Sequence, residues 1–240
     1  MNNVLLMFSG GKDSFLAACK LVEEGYHVKL IMFNGGCIIG DENGISTAQR
    51  LVNKYGERVE IEGVRASVGT RMRVERPWKE MKIKELIKEF PDVNGVQSQC
   101  FFCQTSMWLE AIAYCLAKDI KHIACGYKSS DMFCTGSYTY IDMIKKLCIN
   151  YEIELKLPMW YFDELEDLSD ARNLDMAERW FMPAVLEPQC TVGVPVDEPI
   201  SDPEMGQLIF YFKTRVEYDM IITKLKGILK HIKLTDKAWM

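Results

Sequence analysis

The stretch Ser9-Gly10-Gly11-Lys12-Asp13-Ser14 gathers two glycines, two hydroxyls, an ammonium and a carboxylate into one short segment. Adjacent glycines let a chain reverse sharply and bring its N–H groups close to a ligand. The apolar run Val4-Leu5-Leu6-Met7-Phe8 precedes them and Phe15-Leu16-Ala17-Ala18 follows, an order that reads as buried strand, tight turn and helix. The first turn of such a helix offers unpaired N–H groups and the positive end of its dipole. Ser9, Lys12 and Ser14 add donors at the same spot. This is chemistry suited to holding a pyrophosphate. An ordinary strand-to-helix turn needs the glycines but not the Ser, Lys, Asp and Ser around them.

Spacing rules out two other phosphate loops. A Walker loop places a longer spacer between its first Gly and its Gly-Lys pair, and the dinucleotide fingerprint is G-x-G-x-x-G. The segment instead resembles, at every position, the S-G-G-x-D-S signature of the PP-loop ATP pyrophosphatases, at its usual place after the first strand. Those enzymes cleave ATP between its α- and β-phosphates. The resemblance implies a Rossmann-like α/β fold, ATP with Mg²⁺, and Ser9, Gly10, Gly11, Lys12, Asp13 and Ser14 as ATP-binding residues, with Lys12 and Asp13 also catalytic. It further implies that backbone near Met32 and Phe33, at the end of the second strand, reads adenine, and that Gly126 borders the nucleotide.

The elements that must position this turn follow in order. After a helix over about Ser14 to Glu24, His27 to Phe33 reads as a second buried strand ended by Gly35-Gly36. A helix near Ser46 to Tyr55 carries Ala48, Leu51, Val52 and Tyr55 at helical spacing, and Val59 to Ile61 is a short third strand. This alternation predicts a parallel five-stranded sheet with helices on both faces and ligands at the carboxyl ends of its strands. Residues Val64 to Trp78 carry no assignable element, and Pro77 can open a helix from Trp78 to about Phe90. A helix over Met107 to Leu116 has Trp108, Ile112, Cys115 and Leu116 on one apolar face, so Cys115 reads as core.

Lys121 to Gly126 is the fourth strand, entering the loop Tyr127 to Asp131. A carboxylate just past a strand end, as Asp131 is, can hold Mg²⁺ or polarise a nucleophile, and can equally cap a helix. A helix over Tyr138 to Asn150 leads to a fifth strand, Ile153 to Leu157. Further helices are expected near Phe162 to Leu168 and Ser169 to Trp180. Then come a loop holding Cys190, Pro195, Pro199 and Pro203, a short strand over Gln207 to Phe212, and an amphipathic helix over Glu217 to His231. Residues 1–185 are expected to form the ATP-binding domain, and 186–240 a smaller C-terminal extension packed on it.

The chain has 240 residues, 48% of them hydrophobic and 26% charged, with no low-complexity tract, which is a globular composition. No run reaches the ~18 apolar residues of a membrane helix, so no membrane partner is expected. The first strand begins almost at residue 1, leaving no room for a signal peptide. Nine cysteines without a regular framework, in a nucleotide-binding chain, fit a reducing cytoplasm. The net charge of -5 argues against a protein that coats nucleic acid. Its basic residues nevertheless concentrate between Arg65 and Lys88 and between Lys213 and Lys237, patterns open to a polyanion-binding face or to solvated helix faces.

Cys100 and Cys103, in Gln99-Cys100-Phe101-Phe102-Cys103-Gln104, are read as a loop pair at a helix start, where two thiolates can face one metal. A pair of buried thiols has the same spacing. Cys190, in Glu187-Pro188-Gln189-Cys190-Thr191, has no packing reason to be a cysteine. Two near thiolates and a distant third fit an iron–sulfur cluster with one open iron better than structural zinc, which takes four ligands.

Two subgroups of the PP-loop family resemble the chain in different places. Cys100-x-x-Cys103, then Ile123-Ala124-Cys125-Gly126, with a third cysteine downstream, is similar to tRNA thiolation enzymes. That likeness implies a 4Fe-4S cluster on Cys100, Cys103 and Cys190, and tRNA as partner. The family's His-x-x-Asp-Asp after the glycine is replaced here by Tyr127 to Asp131. Leu157-Pro158-Met159-Trp160 and Glu187-Pro188-Gln189-Cys190 are similar to 7-cyano-7-deazaguanine synthases, which adenylate a carboxylate on a deazapurine and use ammonia and a zinc site. The expected reaction is adenylation of a substrate oxygen with loss of pyrophosphate, then displacement of AMP by sulfur on a tRNA base. The alternatives are amidation and nitrile formation on a deazapurine-like carboxylate, and a non-catalytic nucleotide-binding module; a homodimer is among the assemblies considered.

Overall fold

A computed structural model describes residues 2–34, 38–39, 41–66, 84–93, 95–162, 189–190 and 199–231. The expected helices between 162 and 180, most of the Arg65 to Lys88 basic segment, and the start of the helix expected at Trp78 lie outside these residues. The described elements are β1 (Asn3–Met7), α1 (Lys12–Glu23), β2 (His27–Asn34), β3 (Ile38–Ile39), α2 (Asp41–Tyr55), β4 (Val59–Ala66), α3 (84–89) and α4 (Gly95–Lys118). They continue with β5 (His122–Cys125), α5 (Tyr138–Asn150), β6 (Glu154–Lys156), β7 (Gln189–Cys190), α6 (Asp202–Arg215) and α7 (Tyr218–His231).

Five strands form one parallel sheet in the order β4-β2-β1-β5-β6. The central strands β1, β2 and β5 are mostly apolar because both faces are covered, and their successive side chains enter different cores. Val4, Leu6, Phe8, Val28, Leu30 and Met32 pack with α1 and α2 on one face. Leu5, Met7, Ile31, Phe33, Ile123 and Cys125 pack with α4, α5, α6 and α7 on the other. β2 and β4 pair from Val28↔Val59 to Asn34↔Ala66, with the register shifting between Leu30 and Ile31. The third strand is thus longer than its short apolar stretch predicted.

The helix α4 is the spine of the second core. It is long and apolar enough, by length and composition, to cross a membrane, yet most of it is buried inside the fold. Ser98, Phe101, Thr105, Trp108, Ile112 and Cys115 recur at helical spacing on its buried side. It starts at Gly95, so Cys100 and Cys103 stand inside a helix and not in a loop before one. Phe101 meets Tyr140 of α5 and Phe212 of α6 edge-on, at 5.6 and 6.3 Å between ring centres.

The strand expected over Gln207 to Phe212 is the middle of helix α6. Met205, Leu208, Ile209 and Phe212 are buried and follow the i, i+3, i+4, i+7 pattern of one helix face, while Phe210 is exposed. Ser201 caps this helix: its hydroxyl accepts from the Glu204 N–H, and the Glu204 carboxylate accepts from the Ser201 N–H. Pro203 lies in the first turn, where its missing N–H costs nothing. Cys190 is in β7, antiparallel to β3 with Cys190 opposite Ile38.

Candidate active site

β1 has β2 on one side and β5 on the other, so the connections leaving the sheet diverge at the carboxyl end of β1. That divergence opens a crevice, the usual ligand position in an open parallel sheet. The segments Ser9 to Ser14 and Gly126 to Asp131 enter it from adjacent strands.

Gly11 is the N-cap of α1, in extended conformation with no side chain closing the helix end. Ser9 Oγ accepts from the Gly11 N–H at 3.2 Å and lies 3.0 Å from Ser14 Oγ. Ser14 Oγ donates to the Gly11 carbonyl at 2.9 Å, so the two hydroxyls brace the turn across its base. Gly10 has φ +85°, and a Cβ there would stand 2.2 Å from Gly44 Cα. Only glycine suits that backbone and that approach. Gly44, in α2, is packed as tightly: a Cβ on it would meet Met32 Cε at 2.5 Å and Ser9 O at 3.3 Å.

Gly126 closes the opposite wall. A Cβ there would lie 2.7 Å from Ser14 N and 2.8 Å from Asp13 C, so the loop after β5 rests on the first turn of α1. Met32 and Phe33 fall at the carboxyl end of β2 with both side chains buried, Met32 toward α2 and Phe33 toward α4, and their backbone pairs with Val64 and Arg65 of β4.

Lys128 and Asp13 meet across the crevice, Nζ to Oδ1 at 3.3 Å. The loop carrying Lys128 is pinned twice: Ser129 N–H donates to the Trp160 carbonyl at 3.0 Å, and Lys128 N–H to Asp131 Oδ2 at 3.2 Å. Asp131 is therefore engaged by its own loop. Burial holds its carboxyl above the ordinary 3.8, opposed by the Lys128 N–H, the Thr135 hydroxyl and the Lys128 charge. Sequence reasoning passed over Lys128 and Gly44. Lys128 carried a signal, a cation just past a strand end, whereas Gly44 carried none.

The cysteines part company. Cys100 is joined by Cys134, a residue the sequence did not single out, whose fully buried thiol donates to Cys100 Sγ at 3.9 Å. Burial, then the Cys100 contact, pushes Cys134 well above the usual thiol value, so it is a neutral thiol at physiological pH. Cys190 stands on the separate β3–β7 ribbon, and its side chain lies outside the described residues. Among the described residues, no three His, Cys, Asp or Glu side chains converge on a point that could hold a metal ion.

No protein-family model and no curated protein matches the sequence. Solved structures do. A 4-thiouridine synthetase, in complex with RNA and bound ATP, is 12% identical and superposes with a TM-score of 0.63 over 94% of this chain, which spans 53% of that protein's length. The U34-tRNA thiolase NcsA from Methanococcus maripaludis, with its 4Fe-4S cluster, is 19% identical with a TM-score of 0.50, over 99% of this chain and 76% of the other. A predicted subunit of a tRNA methyltransferase from Methanocaldococcus jannaschii is 22% identical with a TM-score of 0.45, over 72% and 76% of the two chains. At these identities the likeness is one of fold.

Proposed function

We propose that this chain is an ATP-dependent adenylating enzyme that releases pyrophosphate. The observation that carries the reading is the turn at Gly10 and Gly11: an uncapped helix start, braced by Ser9 and Ser14, walled by Gly126 and Gly44, at the point where the sheet's connections diverge. Backbone N–H groups at the start of α1 would take phosphate oxygens, and Lys12 adds a point charge. A substrate oxygen attacks the α-phosphorus, the bond to the β-phosphate breaks, and pyrophosphate departs with the charge these donors neutralise. The half-exposed Asp13 carboxylate fits Mg²⁺, which when bound would neutralise phosphate charge. A nucleophile then displaces AMP from the activated carbon.

For the second half-reaction we favour a sulfur nucleophile and a tRNA base. The support is that two fold neighbours are a 4-thiouridine synthetase in complex with RNA and a U34-tRNA thiolase.

Incubating the protein with α-labelled ATP, Mg²⁺, tRNA and sulfide tests both layers. AMP and pyrophosphate should form in equal amounts in a tRNA-dependent way, and Gly10→Ala should abolish both. ATP that stays intact with every substrate class, while still binding, would make the chain a nucleotide-binding module. AMP formation with a deazapurine carboxylate and ammonia, but not with tRNA, would replace the thiolation reading by amidation.

A further inference from the structure

The Lys128–Asp13 pair is built to be exchanged. Lys128 is a cation with 11% of its side chain exposed, and Asp13 is 34% exposed. Asp13 lies in the first turn of α1, where a carboxylate is favoured by the helix end but where a bound anion would compete with it for the same field. The Lys128 backbone N–H donates to Asp131 Oδ2 at 3.2 Å, so a second carboxylate lies close to the same residue. Its backbone is clamped by the Asp131 and Trp160 contacts and by the seating of Gly126 on α1. The ammonium is thus delivered to the phosphate crevice from a rigid base, on a flexible stem.

Resting on the reading of this crevice as an ATP site, we propose that Lys128 is a second phosphate-binding cation, held by Asp13 until nucleotide arrives. On binding, the Asp13 carboxylate turns toward the divalent cation and the Lys128 ammonium toward the phosphate oxygens. Lys12 and Lys128 then flank the diphosphate from α1 and from the β5 loop. In the free protein Asp13 acts as a stand-in anion for the Lys128 ammonium.

Calorimetric titration of pyrophosphate without divalent cation, with AMP as control ligand, tests this. Lys128→Ala should weaken pyrophosphate binding about tenfold, the loss of one charge-assisted contact, and leave AMP unchanged, while Lys128→Arg should retain most of the affinity. Asp13→Asn should bind metal-free pyrophosphate more tightly than wild type, and that gain should vanish in the Asp13→Asn/Lys128→Ala double variant. A merely structural ion pair predicts the reverse, with both single variants shifting affinity in the same direction. That result, or unchanged pyrophosphate affinity in Lys128→Ala, overturns the proposal. Should Lys128→Ala fail to fold, the Asp13→Asn and Lys128→Arg titrations decide it. If wild-type protein binds neither pyrophosphate nor ATP, the ATP-site reading itself falls, an outcome distinct from a silent Lys128.

Discussion

At the scale of single residues the site is held by contacts that admit little change, and Asp131 shows how charge enters that account. Its carboxyl is held above 3.8 chiefly by burial, so the folded protein binds its proton more tightly than the unfolded chain does. Stability tied to this group is therefore present at low pH and is lost as pH rises from the ordinary carboxylate range through the raised value. Asp131→Asn can still accept the Lys128 N–H without carrying the charge. Urea unfolding across pH should show wild type losing stability relative to Asp131→Asn over that window, with a constant difference above it. A difference that runs the opposite way would show that Lys128 more than offsets the burial of the carboxylate. The turn from Ser9 to Ser14 was legible in the sequence because its donors are consecutive and its flanks switch from strand to helix. Lys128 showed only as a cation just past a strand end, and Gly44 not at all, because each acts through a contact with a distant segment.

Elements were legible where a single period dominated. Strands buried on both faces appear as unbroken apolar runs, and β1, β2 and β5 fall close to where those runs lie. Helix α6 was misread because Leu208 to Phe212 is an aromatic-rich run that satisfies a strand template as well as a helix template. Its capping box was the signal that could have decided it. Ser201 accepts from Glu204 N–H on an exposed helix start, so Ser201→Ala should cost about 1 kcal/mol. For a chain of this size that is a fall of about 2–4 °C in Tm, measurable by calorimetry, and Ser201→Asp should restore it. The start of α4 was missed for a related reason. Gly95 follows a turn, and the polar residues Gln97, Ser98, Gln99 and Gln104 break the apolar pattern that marks the rest of the helix. Cys100 and Cys103 consequently lie inside the helix, past its first turn.

For the whole molecule, the crevice is formed by three segments far apart in sequence, joined by backbone contact and not by flexible side chains. Gly10 touches Gly44 of α2, and Gly126 rests on Ser14 and Asp13. A ligand that fixes the turn at Gly10 and Gly11 must therefore stabilise the starts of α1 and α2 and the loop after β5 together, whereas α5 packs on the far core. A ligand at a hundred times its Kd stabilises the state it binds by about 2.7 kcal/mol, enough to slow local opening about a hundredfold where opening requires its release. Hydrogen exchange with and without saturating Mg·ATP should show protection rising in step across residues 8–14, 41–48 and 126–131. Residues 138–150 should change little, because α5 can open without disturbing the turn. Protection confined to 8–14 would mean that the glycine contacts do not couple the three segments. Protection spread evenly over the chain would mean that opening is global and that the crevice is no weaker than the cores around it.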